Sequence, residues 1–85
     1  MMAPKLAEAY GYRFNFYSFE VFSTEPPHVH IKGPNGIMKI WLETLEIAEC
    51  KGIPEHIQNK LLKVVKDNQE KFLAAWKDLK KDVKD

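Results

Sequence analysis

Apolar and polar side chains alternate along two early stretches of the chain and then change to a longer period. Over residues 12–22 the run Tyr-Arg-Phe-Asn-Phe-Tyr-Ser-Phe-Glu-Val-Phe sets Phe14 and Phe16 against Arg13, Asn15 and Tyr17. A period of two in aromatic-rich sequence predicts a strand with one buried face. Residues 23–27 must turn, because Pro26 and Pro27 fix φ and remove two ladder donors. A second strand is predicted over residues 28–32 and a third, antiparallel to it, over residues 37–42. Between them Gly33-Pro34-Asn35-Gly36 is a strong turn signal. With Pro34-Asn35 as the loop, His28 faces Trp41, Val29 faces Ile40, His30 faces Lys39, Ile31 faces Met38 and Gly33 faces Gly36. A longer or bulged loop would shift these pairs.

That register sorts the side chains. Val29, Ile31, Met38 and Ile40 fall on one face with Phe14 and Phe16, the expected core side. His28, His30, Lys32, Lys39 and Trp41 fall on the other, joined by Arg13, Asn15 and Tyr17 if the first strand pairs alongside. Residues 45–50 fit either a fourth strand or a turn of helix, and Gly52 ends them. Beyond Pro54, Ile57, Leu61, Val65, Asn68, Phe72, Trp76, Leu79 and Val83 recur at intervals of four and three. This is an amphipathic helical stripe, whose apolar members contribute about 1.5–3 kcal/mol each when buried. Asn68 is its one polar member, suited to capping a break between two shorter helices or to bonding into the core. The expected fold is α+β. It is a single domain over residues 1–85, with an antiparallel meander of three or four strands on a long C-terminal helix, bent or split near Asn68. The helix is expected on the sheet face opposite the histidines. Residues 1–9 show no clear pattern and are expected as a loose arm.

Composition narrows the function classes. Eighty-five residues fit one core, and a formal net charge of +1 is too balanced for polyanion binding by bulk electrostatics. Five basic and seven acidic residues lie in 1–55, against eight and five in 56–85, where a solvated helix face accounts for the spread-out lysines. A single cysteine, Cys50, excludes an internal disulfide. With no leader-like segment and no apolar run of about 20 residues, the expectation is a cytoplasmic protein without membrane contact. Glu46 and Glu49 near Cys50 argue against a nucleophilic thiol.

The candidate chemistry is the run Glu25-Pro26-Pro27-His28-Val29-His30. Two residues apart on a strand, the imidazoles share one face with Cα atoms about 6.8 Å apart. One neutral and one protonated imidazole can move protons in metal-free RNA cleavage. His28 and His30 would then be the acid/base pair, Lys39 or Arg13 would stabilise the phosphorane, and Tyr17 or Trp41 would stack a base. A metal is the weaker alternative. His28 and His30 offer two ligands and Glu20, Glu25 or His56 a third, but none stands at a recognisable ligand spacing. No cofactor is called for. The ordinary role is also open: an imidazole after Pro-Pro can bond a backbone group that the missing amides leave unpaired, and His28 beside Trp41 can be cross-strand packing.

Tyr17-Ser18, Glu25-Pro26-Pro27-His28-Val29-His30, Lys39-Ile40-Trp41-Leu42-Glu43, Asp67-Asn68-Gln69 and Trp76 together resemble a family of small bacterial proteins, domain of unknown function 4160. The resemblance runs from about Gly11 to Lys81 and implies a strand-rich first part, a helical second part and no established activity. It also implies a partner. Members are often encoded beside another small protein, and some have been proposed as parts of toxin–antitoxin modules. The family commonly carries arginine after the helix asparagine, where this chain has Gln69, which puts a phosphate- or carboxylate-binding role at that position in doubt. The first-ranked expectation is therefore an interaction or regulatory module. It would work with a small protein encoded nearby, with Tyr17, Trp41, Asn15 and Glu25 on its binding surface. A His-dependent ribonuclease is second, so RNA remains a possible ligand. The oligomeric state is open.

Overall fold

The computed structural model describes residues 5–17 and 24–82. Five strands, β1 (Lys5–Ala9), β2 (Tyr12–Asn15), β3 (His28–Lys32), β4 (Ile37–Trp41) and β5 (Ile47–Lys51), form one antiparallel sheet in sequence order. Two helices, α1 (Glu55–Asp67) and α2 (Gln69–Asp82), follow. The α+β meander expected from the periodicity is present, with five strands where the pattern promised three or four. The extra strand is β1, inside the segment expected as a loose arm. Residues 47–51 take the strand alternative. Of the strand expected over residues 12–22, Tyr12–Asn15 is strand, Phe16 and Tyr17 are not, and residues 18–22 lie outside the described ones, as does Val83 of the helical stripe.

The β3–β4 register is the one a Pro34-Asn35 loop dictates, from His28↔Trp41 to Lys32↔Ile37, closed by Gly33 N–H donating to Gly36 O at 3.1 Å. Tyr10 and Gly11 join β1 to β2 with φ of 55° and 81°, the pair of positive angles a primed two-residue hairpin turn requires. Each edge strand carries one irregularity. Leu6 is skipped between Lys5↔Asn15 and Ala7↔Phe14, and Ala48 between Lys39↔Glu49 and Ile40↔Ile47. Such bulges twist an edge away from further pairing.

The inner sheet face presents Phe14, Val29, Ile31, Met38 and Ile40, with Phe16 just past the end of β2, all buried. Leu61 and Val65 of α1 and Phe72 and Trp76 of α2 complete the core. Phe72 tilts against Phe14 at 6.4 Å between centroids, and Trp76 meets Phe16 edge-on at 5.1 Å. Asn68 breaks the helix at the place its polarity marked. Its Nδ2 and its backbone N–H both donate to Val64 O, at 2.8 and 3.1 Å, closing the end of α1, while its own carbonyl accepts from Phe72 N–H at 2.8 Å and starts α2. Gln69 Nε2 then donates to Leu42 O at 2.6 Å, tying α2 to the chain just after β4. Among the described residues no helix is long and apolar enough to cross a membrane.

Candidate functional site

The outer sheet face is built in cross-strand rows. Arg13 lies between Glu8 and Lys32, Asn15 is beside His30, His30 is beside Lys39, and His28 is beside Trp41. All eight candidate residues except Glu25 and Tyr17 sit on β2, β3 or β4, and the two exceptions flank them in the chain. The strands therefore bring the predicted set to one side, although its members differ sharply in depth.

His28 is buried, with 1% of its surface exposed. Its ring lies 5.1 Å from that of His30, 5.5 Å from Trp41 and 5.1 Å from Trp76. The last contact corrects the expectation that the helices keep wholly to the face opposite the histidines. His28 is the first residue of β3, at the end of the sheet, and there the indole of α2 reaches its ring. Its Nδ1 lies 2.9 Å from Pro26 O. A carbonyl only accepts, so Nδ1 carries the proton. The Pro26 carbonyl precedes a residue with no amide, and the imidazole satisfies it. That is the ordinary role open to a histidine after two prolines. Glu25 Oε1 stands 4.0 Å from the same nitrogen.

His30 is half-buried and stacks on Tyr17, with centroids 4.3 Å apart and planes 29° apart. Lys39, expected as a charge stabiliser, donates from Nζ to Glu25 Oε1 at 2.7 Å and lies 4.6 Å over the Trp41 ring. With 16% of its side chain exposed, that cation is already neutralised and covered. Arg13 is exposed and shares an open groove of about 370 Å³ with Asn15, Lys32, Gly11, Gly33 and Pro34. A smaller cleft of about 190 Å³ at the opposite end is lined by Trp41, Pro26, Pro27, Glu43, Thr44 and Glu46. The outer face is thus polarised, basic at the Gly33 end and acidic at the Trp41 end.

No three histidine, cysteine or acidic side chains come together as a metal-ligand set among the described residues. His56 is exposed on α1, and Glu20 lies outside the described residues. Cys50 faces Met38 across β4 and β5, on the core side. Sequence reasoning left Lys32 and Gln69 out of the candidate set. Lys32 was legible once the β2–β3 register set it opposite Arg13, but that register crosses a long connection. Gln69 gave a signal only as a departure from the family's arginine, and its amide now serves a backbone carbonyl.

The family model for the domain of unknown function DUF4160 matches residues 11–77. The chain belongs to that family. The match begins at the β1–β2 turn and ends one residue after Trp76, so it takes in every candidate site residue and the Phe14–Phe72 and Phe16–Trp76 ring contacts. No curated protein and no solved structure matches the chain.

Proposed function

We propose that this DUF4160 protein is a small cytosolic interaction module, working with a second small protein in a regulatory, toxin–antitoxin-like pair. The observation that carries this reading is the Trp41 cleft. Pro26, Pro27 and Trp41 line it with rigid apolar surface, and Glu43 and Glu46 add negative charge. Such a cleft suits an apolar or cationic anchor side chain from a partner, because rigid aromatic surface is covered at little entropic cost.

The ribonuclease alternative draws on the 5.1 Å spacing of the His28 and His30 rings. Three features weigh against it. General acid–base catalysis needs both groups within hydrogen-bond reach of the reacting atoms, and His28 is sealed by Trp41, Trp76 and His30. Its Nδ1 is occupied by Pro26 O. Lys39, the nearest cation, is paired with Glu25.

Tagged protein expressed with the product of an adjacent gene tests the module. Co-purification is expected from the wild type and from Lys63→Ala, which changes an exposed α1 side chain. It is expected to be lost in Trp41→Ala. No co-purification with the wild type, or an unaffected Trp41→Ala complex, rejects the docking surface. Expression of the chain alone and with its neighbour should differ in effect on growth. RNA cleavage by the purified protein that disappears in both His28→Ala and His30→Ala, with folding intact, would replace the module with the nuclease.

A further inference from the structure

We infer that the basic end of the outer face binds single-stranded RNA, with a phosphate between Arg13 and Lys32 and a base on Tyr17. The inference is independent of the partner-docking reading, which uses the opposite end of the sheet, and it requires no proton transfer.

Three observations converge on it. Arg13 and Lys32 are direct cross-strand partners, both exposed and both lining the 370 Å³ groove. Like charges set opposite one another on a sheet are unfavourable, and an anion seated between them removes that repulsion. Glu8, across β1 from Arg13, offsets only one of the two charges. Backbone lines the groove at Gly11, where a Cβ would meet nothing within 4 Å, so a ligand can approach the chain closely.

The second observation is Asn15. Its Oδ1 is buried with no hydrogen-bond partner among the described residues, and the residue lines the same groove. A bare anion cannot satisfy an acceptor. Once the side chain turns its amide into the groove, a ligand that brings an anion together with an O–H or N–H donor can, and a ribonucleotide does so through its 2′-hydroxyl or a base amine. The third is Tyr17, 37% exposed, with His30 stacked against it. His30 holds the phenol ring in place as a platform for a base. Tyr17 lies two residues beyond the end of β2, and the His30 it stacks on is the cross-strand partner of Asn15. Phosphate, donor and flat ring are all supplied by a short stretch of single-stranded RNA. An acidic peptide supplies the anion but not the stacking base. Net charge alone gave no reason to expect such a site. The local juxtaposition of Arg13 with Lys32 supplies the field that the balanced composition lacks.

Fluorescence polarisation of a short labelled oligouridylate at low salt, with the full-length protein, tests this. Saturable binding is expected. The double variant Arg13→Ala/Lys32→Ala should weaken it at least about tenfold and lower the slope of log K against log salt by about 0.7, the value for one phosphate contact on a single strand. Tyr17→Ala should weaken it about tenfold with the salt slope unchanged. Asn15→Ala should narrow the preference for RNA over the matching deoxyoligonucleotide, and Lys63→Ala should change nothing. Circular dichroism of each variant separates lost binding from lost fold. No saturable binding, or wild-type affinity in the Arg13/Lys32 double variant, overturns the proposal. So does equal competition by a glutamate-rich peptide, which would assign the groove to a partner's carboxylates.

Discussion

At the scale of single residues, the two histidines of the Pro-Pro-His-Val-His run have separate physical roles. His28 fills a pocket between Trp41, Trp76 and His30 and completes the hydrogen bonding of Pro26. Truncating it leaves both a cavity and an unsatisfied carbonyl. His28→Ala is therefore expected to lower stability by about 2–4 kcal/mol, combining a core truncation with a lost buried acceptor partner. His30 is half-buried and stacks on a partly exposed ring, so His30→Ala should cost no more than about 1.5 kcal/mol. Urea unfolding of the two variants checks the contrast. Equal and small losses would mean that His28 is not a structural residue, and would reopen its use in chemistry. Alternation along β3 was enough to place both imidazoles on one face, but it says nothing about depth. Depth came from Trp76, 48 residues further on, and no local pattern in the sequence announces that contact. Lys39 illustrates the same point: its side was legible, and its capture by Glu25 from across the proline turn was not.

At the scale of elements, turns with strict geometry were easier to read than strands with bulges. The Pro34-Asn35 loop set four β3–β4 strand pairs correctly, with Gly33 bonded to Gly36 beyond them, because a two-residue connection leaves no freedom in register. In β1 and β5 a skipped residue, Leu6 or Ala48, breaks the period of two that marks a strand. Alternation over five residues cannot survive that, so β1 read as an arm and β5 as ambiguous. The helix break was legible, since Asn68 is the one polar residue on an otherwise apolar stripe. What the sequence did not reveal is how tightly the β3–β4 turn packs on the end of β5. A Cβ on Gly36 would lie 1.8 Å from Lys51 O, and one on Gly52, at φ +75°, would lie 2.2 Å from Asn35 O. These are backbone collisions that no rotamer relieves. Gly36→Ala is expected to destabilise by about 1–3 kcal/mol, as overpacking does. That corresponds to a fall of about 4–8 °C in Tm for each kcal/mol in a domain of this size. Thermal unfolding reads the result, and an unchanged Tm would show that the turn does not sit against Lys51.

For the whole molecule, the decisive division is between a face closed by helices and the face that carries the cleft and the groove, and the two tryptophans report on it separately. Trp76 is buried against Phe16 and His28 and so belongs to the core. Trp41 is half-buried on the outer face, with Lys39 over its ring and open cleft beside it. Small domains are held by about 5–15 kcal/mol in total, and a large aromatic truncation in the core removes about 3–5 kcal/mol. Trp76→Ala should accordingly leave the protein marginal or unfolded. Trp41→Ala, which removes less buried surface, should leave a cooperative fold. The conservative pair Trp76→Phe and Trp41→Phe keeps both variants folded and isolates one indole in each. Trp76 alone, in Trp41→Phe, should emit at short wavelength and resist quenching by iodide. Trp41 alone, in Trp76→Phe, should emit at longer wavelength and be quenched. Its quenching should fall when a partner fills the cleft, so the same variant measures docking directly. If the two indoles were equally shielded in the isolated protein, the outer face would be closed. The Trp41 cleft would then not be open to a partner.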